Sequence, residues 1–256
     1  MSPPGPPANA FLGRPLRTDA VVRLFCLPHA GAGASRYFRW ASYLPAEIEV
    51  CPLLLPGREG RIREAPFSDL QSLVYALAKS LMPAVDRPFA FFGHSMGALV
   101  GFELARCLRR ELDASPVHLF ASGHRAPQLP DLDEPVHRLP DELLVERVRQ
   151  MDAAADELFE RHDLGTLILP ALRADFTLCA TYAYYQDAPL SCPISVFGGR
   201  ADPRVAPGDL AAWSEQTTGE LVVRLFAGGH LFVNDCELAV MEAIVADLVD
   251  TFQRSC

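Results

Sequence analysis

Lysine is almost absent from this chain: Lys79 stands alone, and the 23 basic residues, otherwise all arginine, are outnumbered by 32 acidic ones. A net charge of −9 excludes the clustered positive field on which binding to a phosphate backbone depends, so nucleic acid is not an expected partner. Long apolar runs are also lacking, and none is long enough to span a bilayer. The opening residues, Met-Ser-Pro-Pro-Gly-Pro-Pro, have neither the positive start nor the apolar core of a secretion signal. The expected location is therefore the cytoplasm, away from membranes. No C-x-x-C pair occurs among the seven cysteines (26, 51, 107, 179, 192, 236 and 256), which read as reduced thiols in apolar runs. The histidines at 29, 94, 118, 124, 137 and 162 show no metal-ligand spacing. No metal and no bound cofactor are expected.

What is present is hydrophobic residue in quantity, half of 256 positions, enough for the core of one large domain. Prolines at 3, 4, 6, 7 and 15 with glycines at 5 and 13 predict a flexible tail over residues 1–19, leaving 20–256 as the domain. Apolar runs then alternate with segments of helical period, which is the pattern of an α/β fold. The predicted strands are Val21–Leu27, Val50–Leu55, Pro88–Phe92, Val117–Ala121, Pro193–Phe197 and Leu221–Phe226. Several are apolar at every position, as parallel strands covered on both faces are. Ser68-x-x-Gln71 reads as a capping box opening a crossover helix with Leu70, Leu73, Val74, Leu77, Ala78 and Leu81 on one face. Met241, Ile244, Val245, Leu248, Val249 and Phe252 repeat that spacing in a final helix. Between two strands lies an insertion, Ala126–Ser191, far longer than a plain crossover needs. Its helices, near Asp141–Met151, Ala153–Arg161 and Leu164–Tyr185, read as a layer completing the core or as a lid over a pocket, and their place just past a strand end favours the lid.

Gly93-His94-Ser95-Met96-Gly97 falls where a strand gives way to a helix, the context in which G-x-S-x-G presents a serine at a sharp turn. Chance placement of glycines about the 13 serines predicts only about 0.06 such matches. A serine hydroxyl needs a base to take its proton and an acid to orient that base. Two later strand ends supply them in the order this motif uses: Gly198-Gly199-Arg200-Ala201-Asp202 and Gly228-Gly229-His230. Ser95, Asp202 and His230 are thus the candidate catalytic triad. The backbone N–H groups of Met96 and of Ala30, in the small-residue loop Pro28-His29-Ala30-Gly31-Ala32-Gly33, are the candidate oxyanion hole. Arg58, Arg61 and Arg63 form a basic cluster fit to meet a phosphate or to stand as a solvated turn.

Together with Leu55-Pro56-Gly57-Arg58-Glu59 and Ser122-Gly123-His124-Arg125-Ala126-Pro127, these motifs resemble the type II thioesterases of polyketide and nonribosomal peptide synthetases, in order over residues 21–252. The resemblance implies an α/β-hydrolase fold with a mostly parallel central sheet and a helical lid at about 130–185. It implies Ser95, Asp202 and His230 as the triad and the Ala30 and Met96 backbone as the oxyanion hole. It also implies a thioesterase that frees acyl groups from the phosphopantetheine arm of acyl carrier or peptidyl carrier domains, the substrate itself bringing the phosphopantetheine. Ala32, where a second glycine is more usual, and Leu54, where glutamine is common, depart from the pattern. A carboxylesterase of free small esters and a noncatalytic binding protein are the alternatives, and without a heptad seam a monomer is expected.

Overall fold

The computed structural model describes residues 10–130, 134–151, 159 and 162–254. Six strands, β1 (Val22–Leu27), β2 (Ile48–Pro52), β3 (Phe89–His94), β4 (His118–Ser122), β5 (Ile194–Gly199) and β6 (Leu221–Phe226), make one sheet in the order β2-β1-β3-β4-β5-β6. Every pairing in it is parallel. All but β6 are buried along their whole length, which is why these segments read as continuous apolar runs and not as alternating ones.

The two faces of the sheet are covered separately. Phe25 and Leu27 of β1 and Phe89 and Phe91 of β3 pack with α1 (Leu70–Leu81) and α2 (Met96–Leu112). Leu24, Cys26, Ala90 and Phe92 point the other way, against Tyr37 and Trp40 of a 3-10 segment (Ala34–Ser42) and the last helix. The chain leaves β1 toward one face and β3 toward the other, which makes their carboxyl ends the switch point of the sheet, the end at which ligands of such sheets bind.

In α1 the apolar stripe from Leu70 to Leu81 is buried as its spacing predicts, but the cap is one residue later than the Ser68–Gln71 box. Asp69 accepts from the Ser72 N–H at 2.8 Å. Both residues are good caps; starting the helix at Leu70 keeps that side chain in the core. The β2 strand likewise stops at Pro52, and Leu53 instead bridges antiparallel to Leu12.

Of the expected tail, residues 1–9 lie outside the described residues, while 10–19 run along β2. Phe11 is fully buried beneath the Arg61 guanidinium, Arg14 donates to the Val50 carbonyl, and the Arg17 N–H donates to Glu49. One aromatic anchor and these polar ties outweigh a composition rich in proline and glycine.

The insertion carries α3 (Asp141–Met151) and α4 (His162–Ala180). The helix expected at Ala153–Arg161 lies, except for Phe159, outside the described residues. α4 ends five residues short of Tyr185 because side chains of the main body hold the following segment extended. The Tyr182 hydroxyl donates to Glu103 at 2.7 Å and Arg106 donates to the Tyr185 carbonyl. Short helices α5 (Pro207–Ala211) and α6 (Phe232–Asp235) precede α7 (Glu237–Arg254). No helix among the described residues is long and apolar enough to cross a membrane.

Candidate active site

Ser95 sits between the end of β3 and the start of α2 with φ 53° and ψ −117°, a conformation that costs a non-glycine residue about 1–3 kcal/mol and persists only when its surroundings enforce it. They do so by contact. A Cβ on Gly93 would lie 2.0 Å from the Gly97 carbonyl oxygen, and one on Gly97 would lie 2.2 Å from that of Leu27. Only glycine permits this turn and the close approach of the loop after β1. The Ser95 N–H donates to the Ser122 carbonyl at 2.7 Å, tying the turn to β4.

The loops after β5 and β6 are stitched to each other. The Arg200 N–H donates to Phe226 and the Ala201 N–H to Gly228, and a Cβ on Gly199 would meet the Gly229 carbonyl at 2.2 Å. Asp202, its side chain wholly buried, therefore reaches His230: Oδ2 lies 2.8 Å from Nδ1. Its Oδ1 accepts the Arg204 N–H at 2.9 Å. On the far side of the ring, Nε2 lies 3.0 Å from Ser95 Oγ. A carboxylate only accepts, so Nδ1 carries the proton and Nε2 offers a lone pair to the serine hydroxyl. The structure thus brings together the three residues that sequence assigned to separate strand ends.

Met96 supplies the first N–H of α2, one with no partner inside the helix and lying at its positive end. Ala30 lies on the loop after β1 that abuts the Ser95 turn. In front of Ser95 is a cavity of about 210 Å³ lined by Met96, Gly123, Ala126, Leu129, Tyr182 and Val205 among others. A second, of about 400 Å³, runs beneath α3 and α4 past Met151 and Phe176 and shares Cys179, Arg204 and His230 with the first. Among the described residues no group of three or more His, Cys, Asp or Glu side chains is placed to hold a metal ion.

Two further histidines surround the relay. His94 packs 5.5 Å from His230, ring to ring, and 5.9 Å from His29, with Nδ1 2.9 Å from the Ser122 hydroxyl. Burial drives the His94 pKa well below its ordinary value and that of His29 down to about 3. Both are neutral at pH 7 and place no rival cation beside His230. No local pattern signals this packing; the clash that a Cβ on Gly123 would make with His94 at 2.6 Å explains the glycine in Ser122-Gly123. The basic cluster also divides. Arg58 is buried against Asp175, Arg61 pairs with Glu64, and Arg63 is exposed, so Arg58 is no phosphate ligand.

A second grouping of the same residue types lies at the opposite, amino-terminal end of the strands. Ser195 Oγ donates to Asp247 at 2.6 Å and lies 2.9 Å from His118 Nε2, while His118 Nδ1 faces Thr251. Here serine is the middle member, no carboxylate orients the imidazole, and Arg224 neutralises Asp247. The fully buried Ser195 ties β5 to α7.

Residues 22–248 match the model of the thioesterase domain. The chain belongs to the thioesterase family. Gramicidin S biosynthesis protein GrsT of Aneurinibacillus migulanus is 42% identical to it over 238 residues, 93% of each chain. Among solved structures, the type II thioesterase BorB from the borrelidin biosynthetic cluster superposes with a TM-score of 0.84 at 37% identity, over 92% of this chain and 95% of that one. ClbQ from the colibactin NRPS/PKS pathway gives 0.86 at 29%, over 91% and 98%. The thioesterase has the α/β-hydrolase fold that its sequence motifs implied, the described sheet being parallel throughout.

Proposed function

We propose that this thioesterase hydrolyses acyl groups from the phosphopantetheine arm of acyl carrier or peptidyl carrier domains, clearing aberrant or stalled chains in polyketide or nonribosomal peptide biosynthesis. The observation that carries the reading is the Asp202–His230–Ser95 relay opening onto the 210 Å³ cavity. The biosynthetic settings named for GrsT, BorB and ClbQ support the choice of substrate.

In this mechanism His230 Nε2 takes the Ser95 proton as Oγ attacks the thioester carbonyl, and Asp202 stabilises the imidazolium that forms. The Met96 and Ala30 N–H groups receive the developing oxyanion. The pantetheine thiol leaves, and its free pKa of about 8.5 makes protonation less demanding than for an amine. His230 then deprotonates a water that attacks the acyl-Ser95 ester, and the acid departs as the proton returns to Ser95. The protein supplies no cofactor, and the enzyme works as a monomer in the cytoplasm.

Intact mass measurement of acyl-loaded carrier domains tests the proposal. Wild-type enzyme should remove the acyl mass, and Ser95→Ala, still folded by circular dichroism, should not. Cleavage of simple esters with every carrier left loaded would replace this reading with that of a carboxylesterase. Binding without turnover of either substrate would mean a noncatalytic protein.

A further inference from the structure

The loop that carries Ala30 is held from outside itself. Asp175, in the middle of α4 and 2% exposed, accepts three hydrogen bonds on its two oxygens. Arg58 donates to Oδ1 and to Oδ2, each at 2.7 Å, and the Gly31 N–H donates to Oδ2 at 2.8 Å. The same guanidinium donates to the Ala32 carbonyl at 3.1 Å. Packing repeats the message, for a Cβ on Gly31 would lie 2.7 Å from Leu172 Cδ1 and one on Gly57 would lie 3.1 Å from the Ala171 Cβ. Further along, Glu59 accepts from the Ala34 and Ser35 N–H groups, both at 3.0 Å.

The peptide between Ala30 and Gly31 is thereby fixed at both edges. Its N–H goes to Asp175, and its carbonyl oxygen lies 3.0 Å from His29 Nδ1. A peptide unit is planar, so two bonds on opposite edges set its rotation and with it the backbone angle of Ala30. Gly31, at φ +78°, would otherwise tolerate a flip of that peptide.

We propose that Asp175 is a positioning residue for the oxyanion hole: by clamping the Ala30–Gly31 peptide it holds the Ala30 Cα, and with it the N–H bonded to that carbon, in place, so that helix α4 of the insertion is part of the catalytic scaffold. This rests on the assignment of Ala30 and Met96 as oxyanion donors. Stability alone is a weak reason for the arrangement, because desolvating a carboxylate and a guanidinium offsets most of what their attraction returns, and an apolar pair of similar volume often folds as well.

The test uses a short acyl-pantetheine thioester, which needs no carrier. It also uses two inhibitors with the same acyl chain: a trifluoromethyl ketone, which adds to Ser95 and places an oxyanion in the hole, and the corresponding alcohol, which does not. Asp175→Ala should lower kcat by about tenfold to a hundredfold, less than the loss of a whole oxyanion donor, with KM within twofold. Ketone affinity should fall in step and alcohol affinity should hold. Asp175→Asn retains an acceptor for Gly31 and should stay within about threefold of wild type in kcat. The double variant Arg58→Met, Asp175→Leu removes both buried charges and should recover the Tm without recovering kcat. Wild-type kcat and ketone affinity in that folded double variant, or in folded Asp175→Ala, would overturn the proposal, as would an equal loss of alcohol binding. Should the double variant not fold, the contrast between Ala and Asn decides. Turnover surviving in Ser95→Ala would mark failure of the underlying site reading instead, whatever the Asp175 variants do.

Discussion

Ser95 and Ser195 each touch a histidine in a cluster that includes an aspartate, and connectivity alone separates them. In one the imidazole bridges serine and carboxylate; in the other the serine bridges imidazole and carboxylate. Ser195→Ala should lower stability by about 1–3 kcal/mol, the cost of stranding buried polar partners, with kcat unchanged, read by thermal melts alongside the ester assay. Asp202→Asn should keep the fold yet lower kcat by about 10³–10⁴, because an amide opposite Nδ1 favours the wrong imidazole tautomer. Gly97→Ala, whose methyl group would sit 2.2 Å from the Leu27 carbonyl, should lose both soluble yield and activity. The three residues of the relay were legible in the sequence because each follows glycines at a strand end. Arg58 was not, since the partner that turns it from a surface cation into a buried clamp lies 117 residues away.

Elements were legible where burial is two-sided. β3 and β4 read correctly because a strand covered on both faces has no polar side to interrupt the pattern. Ends were less so, since competing local signals are decided by packing. Asp69→Ala should cost α1 about 1 kcal/mol in a denaturant titration while Ser68→Ala costs almost nothing, the reverse of what a Ser68 cap predicts. Residues 10–19 show the same limit: composition reports how many prolines a segment has, and not that Phe11 finds a slot beneath Arg61. Within the insertion, the end of α4 depends on Glu103 and Arg106 of α2, residues that no local window contains.

At the scale of the whole molecule, several imidazoles are buried neutral. Burial lowers His118 and His124 to about 4 and His29 to about 3, and takes His94 well below the ordinary 6.5. Each binds a proton more readily in the unfolded chain. Stability is therefore complete above pH 6.5 and is lost as pH falls toward 4, by up to ~1.4 kcal/mol per pH unit for each group. Melting curves at pH 7.5, 6, 5 and 4.5 should show a Tm that declines progressively below 6.5. A Tm unaltered down to pH 4.5 would mean that these rings are already charged or solvated in the folded protein.

The all-parallel sheet also carries a consequence in time. Each strand pairs with one distant in sequence, and His230 must find Ser95 across 135 residues, so little of the sheet can form from near neighbours alone and refolding is expected to be slow. The last strand of the chain, at the edge of the sheet, is followed directly by the general base. After dilution from denaturant, helical signal should return before any catalytic signal, and turnover should appear only with the slowest phase. A chain interrupted during folding would be an inert one, never a half-competent hydrolase loose among reactive thioesters.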